Sequence, residues 1–341
     1  MKSGKRPFKI GFFSYLAGPG VDEQIYPNVL KLVLLAEELG LDNFWVAQHH
    51  FGHHGGLPSP LVLFSALAAQ TERLRFGTAI VSLPYEDPIR LAEDAAVFET
   101  LFPDRLELGI GTGFGSEAVM ETFGIGGQVR RAVYDAALPK LIDAFEGTAL
   151  NRAGDVLYPA APALRQRLWE SPSRVEGVIE AAKRGSGLLL SRVAIGVTGI
   201  PTDVVQRELV DTYYANLPEG VEPKIGLSRT VYPSLDPRAA YNDLAASLEA
   251  AHTTNPDIAQ ATVSRMTIDE EFEHFSLHWG SPEQVIESLL AEPLIDEITD
   301  LIFQVQPGRP DFETTQQIIR LMATEVGPAL GWVPSFEAVL A

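Results

Sequence analysis

Short apolar runs alternate along the chain with longer segments in which apolar residues recur at the spacing of an amphipathic helix. The apolar runs predict strands at residues 8–15, 44–47, 74–83, 105–111, 164–170, 188–193, 224–231 and 299–305. The helical patterns that follow them cover residues 22–40, 60–71, 87–102, 127–145, 175–184, 202–217, 236–252 and 312–330. Strict alternation indicates a parallel sheet with helical crossovers, and eight such units are the number that closes a (β/α)₈ TIM barrel.

One segment, residues 253–291, does not fit the alternation, and we interpret it as an insertion before the last strand, with a helix at residues 281–290. No linker rich in serine and glycine and no internal repeat divides the chain. We therefore expect a single α/β barrel domain over residues 1–341. Because active sites of such barrels lie at the carboxyl ends of the strands, the residues that follow each strand are the candidates for chemistry.

Composition narrows the classes of function. Apolar residues make up 46% of the chain, which is too many for a disordered protein, and the absence of cysteine excludes disulfides, iron–sulfur clusters and a thiol nucleophile. The 45 acidic and 26 basic residues give a formal net charge of −19, which argues against nucleic acid and anionic membranes as partners. The first apolar run is too short for a secretion signal, and no run is long enough to span a bilayer, so we expect a cytoplasmic protein.

Histidines cluster after the second predicted strand, where His49, His50, His53 and His54 are four of the seven in the chain. One interpretation is a metal site, but such a site needs further ligands from later strands, and the other three histidines do not follow predicted strands. A second interpretation is that one histidine acts as an acid, a base or a hydrogen-bond donor to a bound cofactor. The third is a polar loop without chemistry.

A glycine-rich turn, GIGTGFG, ends the fourth predicted strand at residues 109–115 and allows a ligand to approach the backbone closely. Its spacing differs from the G-x-G-x-x-G fingerprint of dinucleotide-binding proteins. It is similar to the first motif of S-adenosylmethionine methyltransferases, in which an acidic residue precedes G-x-G-x-G. That motif usually opens an open-sheet fold, whereas three strand–helix units precede it here, which favours the barrel.

Hydroxyl and guanidinium groups follow the fifth predicted strand. Ser173 is a suitable N-cap for a helix that begins at Val175, and the start of that helix offers free N–H groups and the positive end of a dipole. Ser171 and Arg174 would complete a cradle for an anion, although an ordinary capped helix explains the same residues. Arg192, after the sixth strand, adds a second cation at the same end of the barrel.

The order and spacing of several motifs resemble those of the bacterial luciferase-like family of flavin-dependent monooxygenases, and within it a subgroup of FMN-dependent luciferase-like monooxygenases. The motifs occupy residues 45–51, 77–84, 87–94, 104–111, 123–124, 187–191 and 280–285. The resemblance implies a (β/α)₈ barrel, in agreement with the strand count. It also implies an enzyme that takes reduced FMN from a separate flavin reductase, reacts it with O₂ and oxygenates a small organic substrate. A homodimer is a further implication, with the apolar helices at residues 61–69 and 89–102 as its interface.

The resemblance also implies roles for individual residues. His49 aligns with the active-site histidine of the family. Ala79 and Ile80 align with a pair that is joined by a non-prolyl cis peptide bond beneath the flavin ring. Gly111 and Thr112 align with the next pair that contacts the flavin. In the luciferase these two positions carry a cysteine and an arginine, so Thr112 contributes a hydroxyl group where the luciferase has a charge.

The remaining expected cofactor contacts depart from the family pattern or are placed only as a cluster. Gln48 stands where the family commonly has glutamate, which removes one possible base. Ser171, Ser173 and Arg174 correspond to the phosphate-binding turn of the family, and Arg174 would supply the cation that Thr112 lacks. Arg192 is expected to lie near the same phosphate.

Two other functions remain open from the sequence. The same superfamily contains enzymes that transfer hydride with the deazaflavin F420, and it contains flavin-binding proteins without catalytic activity. No motif identifies the organic substrate. Luminescence is not implied, because the family extends far beyond its light-emitting members.

Overall fold

The structure is a computed structural model, and it describes residues 8–16, 24–51, 55–194, 199–254 and 266–334. Its strands, in chain order, are β1 (Lys9–Ser14), β2 (Asn43–Val46), β3 (Arg75–Thr78), β4 (Val81–Ser82), β5 (Leu106–Gly111), β6 (Leu168–Glu170), β7 (Gly187–Leu190), β8 (Ile225–Pro233), β9 (His278–Gly280) and β10 (Asp300–Gln304). Eight of them pair in parallel in the order β1-β2-β3-β5-β6-β7-β8-β10, and β10 also pairs with β1. This ring closes a (β/α)₈ barrel, which confirms the predicted fold.

Helices connect the strands on the outside of the barrel. They are α1 (Ile25–Glu38), α2 (Pro60–Ala68), α3 (Pro88–Leu101), α4 (Glu117–Thr122), α5 (Arg130–Phe145), α6 (Ala163–Gln166), α7 (Val175–Lys183), α8 (Thr202–Asn216), α9 (Pro237–Thr254), α10 (Ile268–His274), α11 (Pro282–Leu290), α12 (Phe312–Leu321) and α13 (Gly327–Ala329). A 3₁₀ turn at Leu83–Tyr85 precedes α3, and a π turn at Met322–Val326 follows α12. Among the described residues, no helix has the length and apolar character needed to cross a membrane.

Local chemistry explains where the site-bearing helices begin. Asp87 caps α3 by accepting hydrogen bonds from the backbone N–H groups of Ile89 and Arg90, at 2.9 and 3.0 Å. Pro88 occupies the first helical position, where the missing N–H group is not needed.

Two predicted strands differ in the structure. The third is divided into β3 and β4 by two residues, and the fifth begins only at Leu168, because the polar residues 165–167 lie in or after the short helix α6.

The described part of the predicted insertion contains α10, β9 and α11, and β9 pairs with the end of β8. Both helices begin with a capping box, formed by Thr267 and Glu270 in α10 and by Ser281 and Gln284 in α11. The helix expected at residues 281–290 is therefore confirmed. Residues 255–265 of this segment lie outside the described residues.

Two tryptophans fill the barrel interior, and glycines on neighbouring strands make room for them. A Cβ atom on Gly77 would lie 2.1 Å from the ring of Trp45, and one on Gly187 would lie 2.4 Å from the ring of Trp169. The two indole rings meet edge to face, with centroids 5.9 Å apart. Close packing of this kind leaves the barrel without a pore, so that a ligand can enter only above the tryptophans.

Buried polar groups close the amino-terminal end of the barrel. The Trp169 indole N–H donates to Glu107 at 2.8 Å, and Glu107 forms an ion pair with Arg75. The Asn43 amide donates to Asp300 at 2.9 Å. Burial raises the pKa of Asp300 to about 6. These polar groups pair with one another at the amino-terminal end, whereas the residues predicted to form the site lie at the opposite, carboxyl end.

Candidate active site

His49 lies directly after β2 and is held between an aromatic ring and the main chain. Its imidazole stacks on the phenol ring of Tyr15, with ring centroids 4.8 Å apart. A Cβ atom on Gly55 would lie 2.8 Å from Nδ1 of His49, so this glycine allows the loop to pass against the imidazole. The backbone N–H of His49 donates to Leu57 at 2.8 Å. Tyr15 was not among the residues predicted from the sequence, although an aromatic residue that ends an apolar strand run was a usable signal.

The Ala79–Ile80 peptide bond is cis, as the family resemblance implies. Backbone hydrogen bonds tie it to the end of β2, because Ala79 N–H donates to Val46 at 2.7 Å and Gln48 N–H donates to the Ile80 carbonyl at 3.1 Å. Ala79 and Ile80 are partly exposed and pack against the cluster that contains the two barrel tryptophans. The cis pair therefore forms part of the surface at the mouth of the barrel.

The Gln48 side chain is buried and makes three hydrogen bonds. Its Oε1 accepts from the Ser82 N–H at 2.8 Å, and its Nε2 donates to the Pro58 carbonyl at 3.1 Å and to Glu86 Oε1 at 2.5 Å. Glu86 is half-buried, and burial raises the pKa of its carboxyl group. Glu86 was not among the residues predicted from the sequence, because it lies 38 positions from Gln48 and follows no predicted strand directly.

Small residues line the mouth of the barrel beside the cis pair. The Thr78 hydroxyl and Gly109 exchange two hydrogen bonds, at 2.7 and 2.8 Å, which hold β3 against β5. A Cβ atom on Gly111 would lie 3.1 Å from the Ile80 side chain, so the structure brings these two predicted contacts together. Thr112 follows Gly111 and is partly exposed. This side of the mouth offers backbone and methyl surface to a flat ligand.

Glu170, the last residue of β6, has its carboxylate neutralised by internal partners. Arg184 donates two hydrogen bonds to Glu170, at 2.9 and 2.8 Å, and the Tyr134 hydroxyl donates a third at 2.9 Å. Burial and the neighbouring carboxylate raise the pKa of Tyr134. Because Glu170 is paired in this way, it opposes an anion at the adjacent turn less than a free carboxylate would.

The predicted anion cradle after β6 is present in part. The expected N-cap is wrong: Arg174, not Ser173, is the capping residue of α7, because the extended backbone continues one residue further, and no side chain caps this helix. Ser173 and Arg174 are exposed to solvent. The Ser171 hydroxyl donates to the Leu189 carbonyl at 3.1 Å, which leaves its oxygen as an acceptor only.

Arg192, after β7, carries a partly buried guanidinium group, and within the described ranges no carboxylate forms an ion pair with it. Burial lowers the pKa of Arg192, and the Tyr15 phenol opposes this effect electrostatically. The neighbouring carbonyl of Ser191 accepts a hydrogen bond from Gln206 at 2.5 Å. Gln206 in turn accepts from the fully buried Arg229 at 2.8 Å. Arg192 therefore belongs to a turn that these hydrogen bonds hold in place, and its guanidinium group lies near the Tyr15–His49 pair.

Some buried polar atoms near the mouth have no hydrogen-bond partner among the residues that the structure describes. They include Oε1 of Gln304, at the end of β10, and Nε2 of His50. Gln304 is held by its other amide atom, which donates to the Ser228 hydroxyl at 2.6 Å. Unpartnered buried groups of this kind are costly unless a ligand or water satisfies them. Together with the small residues and the cations, they fit a flat ring system that bears hydrogen-bonding groups and a phosphate.

An aromatic cluster borders this mouth. His50 lies 4.5 Å from Phe123 and 5.7 Å from Tyr85, measured between ring centroids, and burial lowers the pKa of His50. Phe51 joins the cluster and is 56% exposed, with a left-handed backbone φ of 61°.

Of the described residues, no group of three or more His, Asp or Glu side chains is placed to hold a metal ion. His53 and His54 lie outside the described residues.

Comparison with known proteins now places the chain in a family. Residues 10–296 match the model of the luciferase-like monooxygenase family, and the chain belongs to that family. The uncharacterized protein y4vJ of Sinorhizobium fredii is 23% identical over 325 residues, which cover 89% of this chain and 91% of that protein. The uncharacterized protein YwcH of Bacillus subtilis is 30% identical over 180 residues, or 52% of this chain and about half, 54%, of that protein.

Solved structures share the fold at low sequence identity. The monooxygenase RslO1 of Streptomyces bottropensis has a TM-score of 0.76 at 23% identity, covering 94% of this chain and 99% of that one. The oxygenating constituent of 3,6-diketocamphane monooxygenase from Pseudomonas putida, solved with FMN, has a TM-score of 0.75 at 16% identity, with 95% and 99% covered. An F420-dependent tetrahydromethanopterin reductase of Methanopyrus kandleri has a TM-score of 0.68 at 14% identity, with 96% and 100% covered. Neighbours of this fold therefore include proteins of both cofactor types.

Proposed function

We propose that the protein is a flavin-dependent monooxygenase that binds reduced FMN at the carboxyl end of its barrel and oxygenates a small organic substrate. The observation that carries the proposal is the close approach of Gly111 to Ile80 at the barrel mouth, where a Cβ atom on Gly111 would lie 3.1 Å from the Ile80 side chain, so that small residues and backbone form a surface for a flat ring. His49 lies close to Ile80 in the folded chain, because β2 and β3 are adjacent and the Ile80 carbonyl accepts a hydrogen bond from the backbone N–H of Gln48. The family of the chain and the unpartnered polar atoms at the mouth support the same proposal.

Each group has a role in holding the cofactor. Ala79, Ile80 and Gly111 would support one face and the edge of the isoalloxazine ring, while the Thr112 hydroxyl would contribute a neutral hydrogen bond. Gln48 would act on the cofactor indirectly, by holding the cis segment through its backbone and side chain.

The phosphate would be held at the turns after β6 and β7. Ser173 would supply a hydroxyl donor, and Ser171 would do so after releasing its bond to the Leu189 carbonyl. Arg174 and Arg192 would supply positive charge. The uncapped first turn of α7 adds backbone N–H groups to this set.

Bound reduced FMN supplies the electrons with which O₂ is activated. His49 would hold or donate a proton at its imidazole beside the reacting atoms, roles that an imidazole can serve in general acid–base catalysis. Its stacking on Tyr15 and its contact with Gly55 limit the rotation of the imidazole. The closed floor of tryptophans would keep bulk water from entering the site from below.

Two partners belong to the proposal. Reduced flavin would come from a separate flavin reductase, which agrees with the lack of a nicotinamide fingerprint in the sequence. A homodimer would cover apolar side chains that α2 and α3 expose, namely Val62, Val97 and Leu101, at 71%, 47% and 61% exposure. Burial of these side chains against a second copy would remove them from water.

Anaerobic titration of the purified protein with reduced FMN and with reduced F420, followed by O₂ admission, tests the proposal. We expect saturable quenching by FMN, weaker binding of F420 and O₂ consumption that depends on FMN. Tighter binding of F420 without O₂ consumption would support hydride transfer instead. Flavin binding without turnover of any substrate, and without an effect of His49→Ala, would indicate a non-catalytic flavin-binding protein.

A further inference from the structure

The Gln48 amide is the centre of a small network that joins four segments of the barrel mouth. It connects the end of β2 with Pro58 before α2, with Ser82 in β4 and with Glu86 before α3. Both Nε2 protons and the Oε1 atom are used, so the orientation of the amide is fixed by its partners. The network lies on the helix side of the mouth, directly behind the cis peptide.

The two partners of Nε2 explain why residue 48 is a glutamine. Glu86 Oε1 and the Pro58 carbonyl are both acceptors, at 2.5 and 3.1 Å, and only a donor can satisfy them together. A glutamate at this position, as in the family pattern, would place a carboxylate against both oxygens. The carboxylate that the family pattern has at position 48 is thus present in this chain on a neighbouring segment, at Glu86.

Glu86 is not balanced by a cation. In the part of the chain that the structure describes, no lysine, arginine or histidine forms an ion pair with it, and Gln48 is its hydrogen-bond partner. A bond from an amide to a charged carboxylate is stronger than one between neutral groups and polarises the amide. The polarised amide oxygen is then a better acceptor for the Ser82 N–H.

We propose that Glu86 is a positioning residue, which replaces the carboxylate of the family at position 48 and fixes the cis Ala79–Ile80 segment through Gln48. Gln48 holds this segment through two hydrogen bonds: its backbone N–H donates to the Ile80 carbonyl at 3.1 Å, and its side chain accepts from the Ser82 N–H at 2.8 Å. Loss of the Glu86 acceptor frees the side-chain amide to rotate and weakens the hydrogen bond to Ser82. The consequence for flavin affinity rests on the proposed function, whereas the consequence for the backbone does not.

Hydrogen exchange in the cofactor-free protein tests the backbone part. Glu86→Leu removes the acceptor and is expected to speed exchange at the Ser82 amide about tenfold, since one donor of the buried amide is left unpaired. Glu86→Gln keeps an acceptor and should retain near-native protection. Glu93→Leu, the same change at a partly exposed carboxylate of α3, is the matched control and should leave Ser82 unaffected. Thermal melting confirms that each variant is folded.

A carboxylate exchange tests the functional part. Gln48→Glu places two carboxylates face to face and is expected to weaken FMN binding about tenfold, measured by fluorescence quenching. The double variant Q48E/E86Q restores one carboxylate and one amide in reversed positions and should recover part of this loss, because the carboxylate at position 48 would still face the Pro58 carbonyl. The visible circular dichroism band of bound FMN reports the surroundings of the flavin ring. It should change most in Gln48→Glu and less in the double variant, relative to the unaltered protein.

The results separate the two ideas. The role of Glu86 would be overturned if the Ser82 amide of Glu86→Leu exchanged at the rate of the unaltered protein. It would also be overturned if the double variant bound FMN no more tightly than Gln48→Glu. Failure of the unaltered protein to bind FMN would overturn the proposed function, and the exchange experiment would still decide whether Glu86 holds the segment. Exchange that rises equally in Glu86→Leu and Glu93→Leu would also count against the inference, because it would indicate general loosening of α3.

Discussion

The phenol ring of Tyr15 lies on the imidazole of His49, with ring centroids 4.8 Å apart and planes inclined by 32°. The two residues follow β1 and β2, which pair in parallel with Ser14 opposite Val46. The strand register therefore fixes the separation of the two rings. A side chain that rotates freely spends little time in the orientation that a catalytic step requires. The contact with Tyr15 therefore preorganises the proposed catalytic histidine.

Removal of the Tyr15 ring should reduce turnover more than it reduces cofactor binding. We expect Tyr15→Ala to lower kcat about tenfold, because the imidazole gains rotational freedom, while Tyr15→Phe retains the stacked ring and most of kcat. Stopped-flow O₂ consumption with reduced FMN and a turned-over substrate measures this difference. Equal losses in both variants would show that the phenol hydroxyl, rather than the stacking, is needed.

The phosphate of FMN should depend more on Arg192 than on Arg174. Arg192 is partly buried and Arg174 exposed, and an exposed charge is screened more strongly by water and salt. We expect Arg192→Gln to weaken FMN binding by a factor on the order of 10–100, and Arg174→Gln to weaken it by only a few-fold. Riboflavin, which lacks the phosphate, should bind equally to all variants. The exposed Arg152 provides a control, and its replacement by glutamine should change neither affinity.

Asp300 should make the folded state less stable as the pH rises. Burial raises the pKa of Asp300 to about 6 in the folded protein, above the 3.8 that is usual for an aspartate, so the folded state holds the proton more tightly than the unfolded chain. Stability is then lost between about pH 4 and pH 6, on the order of 3 kcal/mol, and stays lower above that window. Asp300→Asn can still accept from Asn43 and should flatten this dependence and raise the free energy of unfolding at pH 7.5.

Urea unfolding of both proteins between pH 4 and pH 8 measures that effect. Asp296→Asn, at an exposed position four residues earlier, is the control for the loss of one negative charge from an acidic protein. An equal gain from Asp300→Asn and Asp296→Asn at pH 7.5 would mean that net charge, rather than burial of Asp300, sets the pH dependence.

The fit between Gly77 and Trp45 should be measurable as a coupling energy. A methyl group on Gly77 would lie 2.1 Å from the indole, so Gly77→Ala is expected to destabilise the fold by roughly 1–3 kcal/mol through overpacking. Trp45→Phe removes part of the obstructing ring, and the double variant should be more stable than the sum of the two single changes predicts. Additive effects in denaturant unfolding would argue that the two residues do not restrain each other.

Most of the fold followed from the sequence because the barrel repeats one simple pattern. The eight barrel strands lie within or beside their predicted ranges, since buried parallel strands are short apolar runs that helical segments separate. The fifth strand was placed too early because Leu164 extends an apolar run that the chain uses for α6 instead. Residue spacing alone does not distinguish four residues of helix from four of strand.

The site was predictable where it depends on position along the chain and not where it depends on contacts between segments. The cis Ala79–Ile80 bond was expected from aligned residues and is present. Glu86 and Tyr15 were missed, because their importance arises from partners 38 and 34 positions away in the folded chain. The predicted N-cap, Ser173, lies one residue before the observed one, Arg174, which is within the usual uncertainty of a helix boundary.

The tryptophan pair that fills the barrel also has an optical consequence. Trp45 and Trp169 are almost completely buried and belong to the same cluster as Ala79 and Ile80, so they lie within contact range of the proposed flavin platform. Indole emission overlaps the near-ultraviolet absorption of flavins, and energy transfer is efficient over such short separations. If flavin binds as proposed, the protein's own ultraviolet emission would therefore fall as the site fills, and binding could be followed without a label.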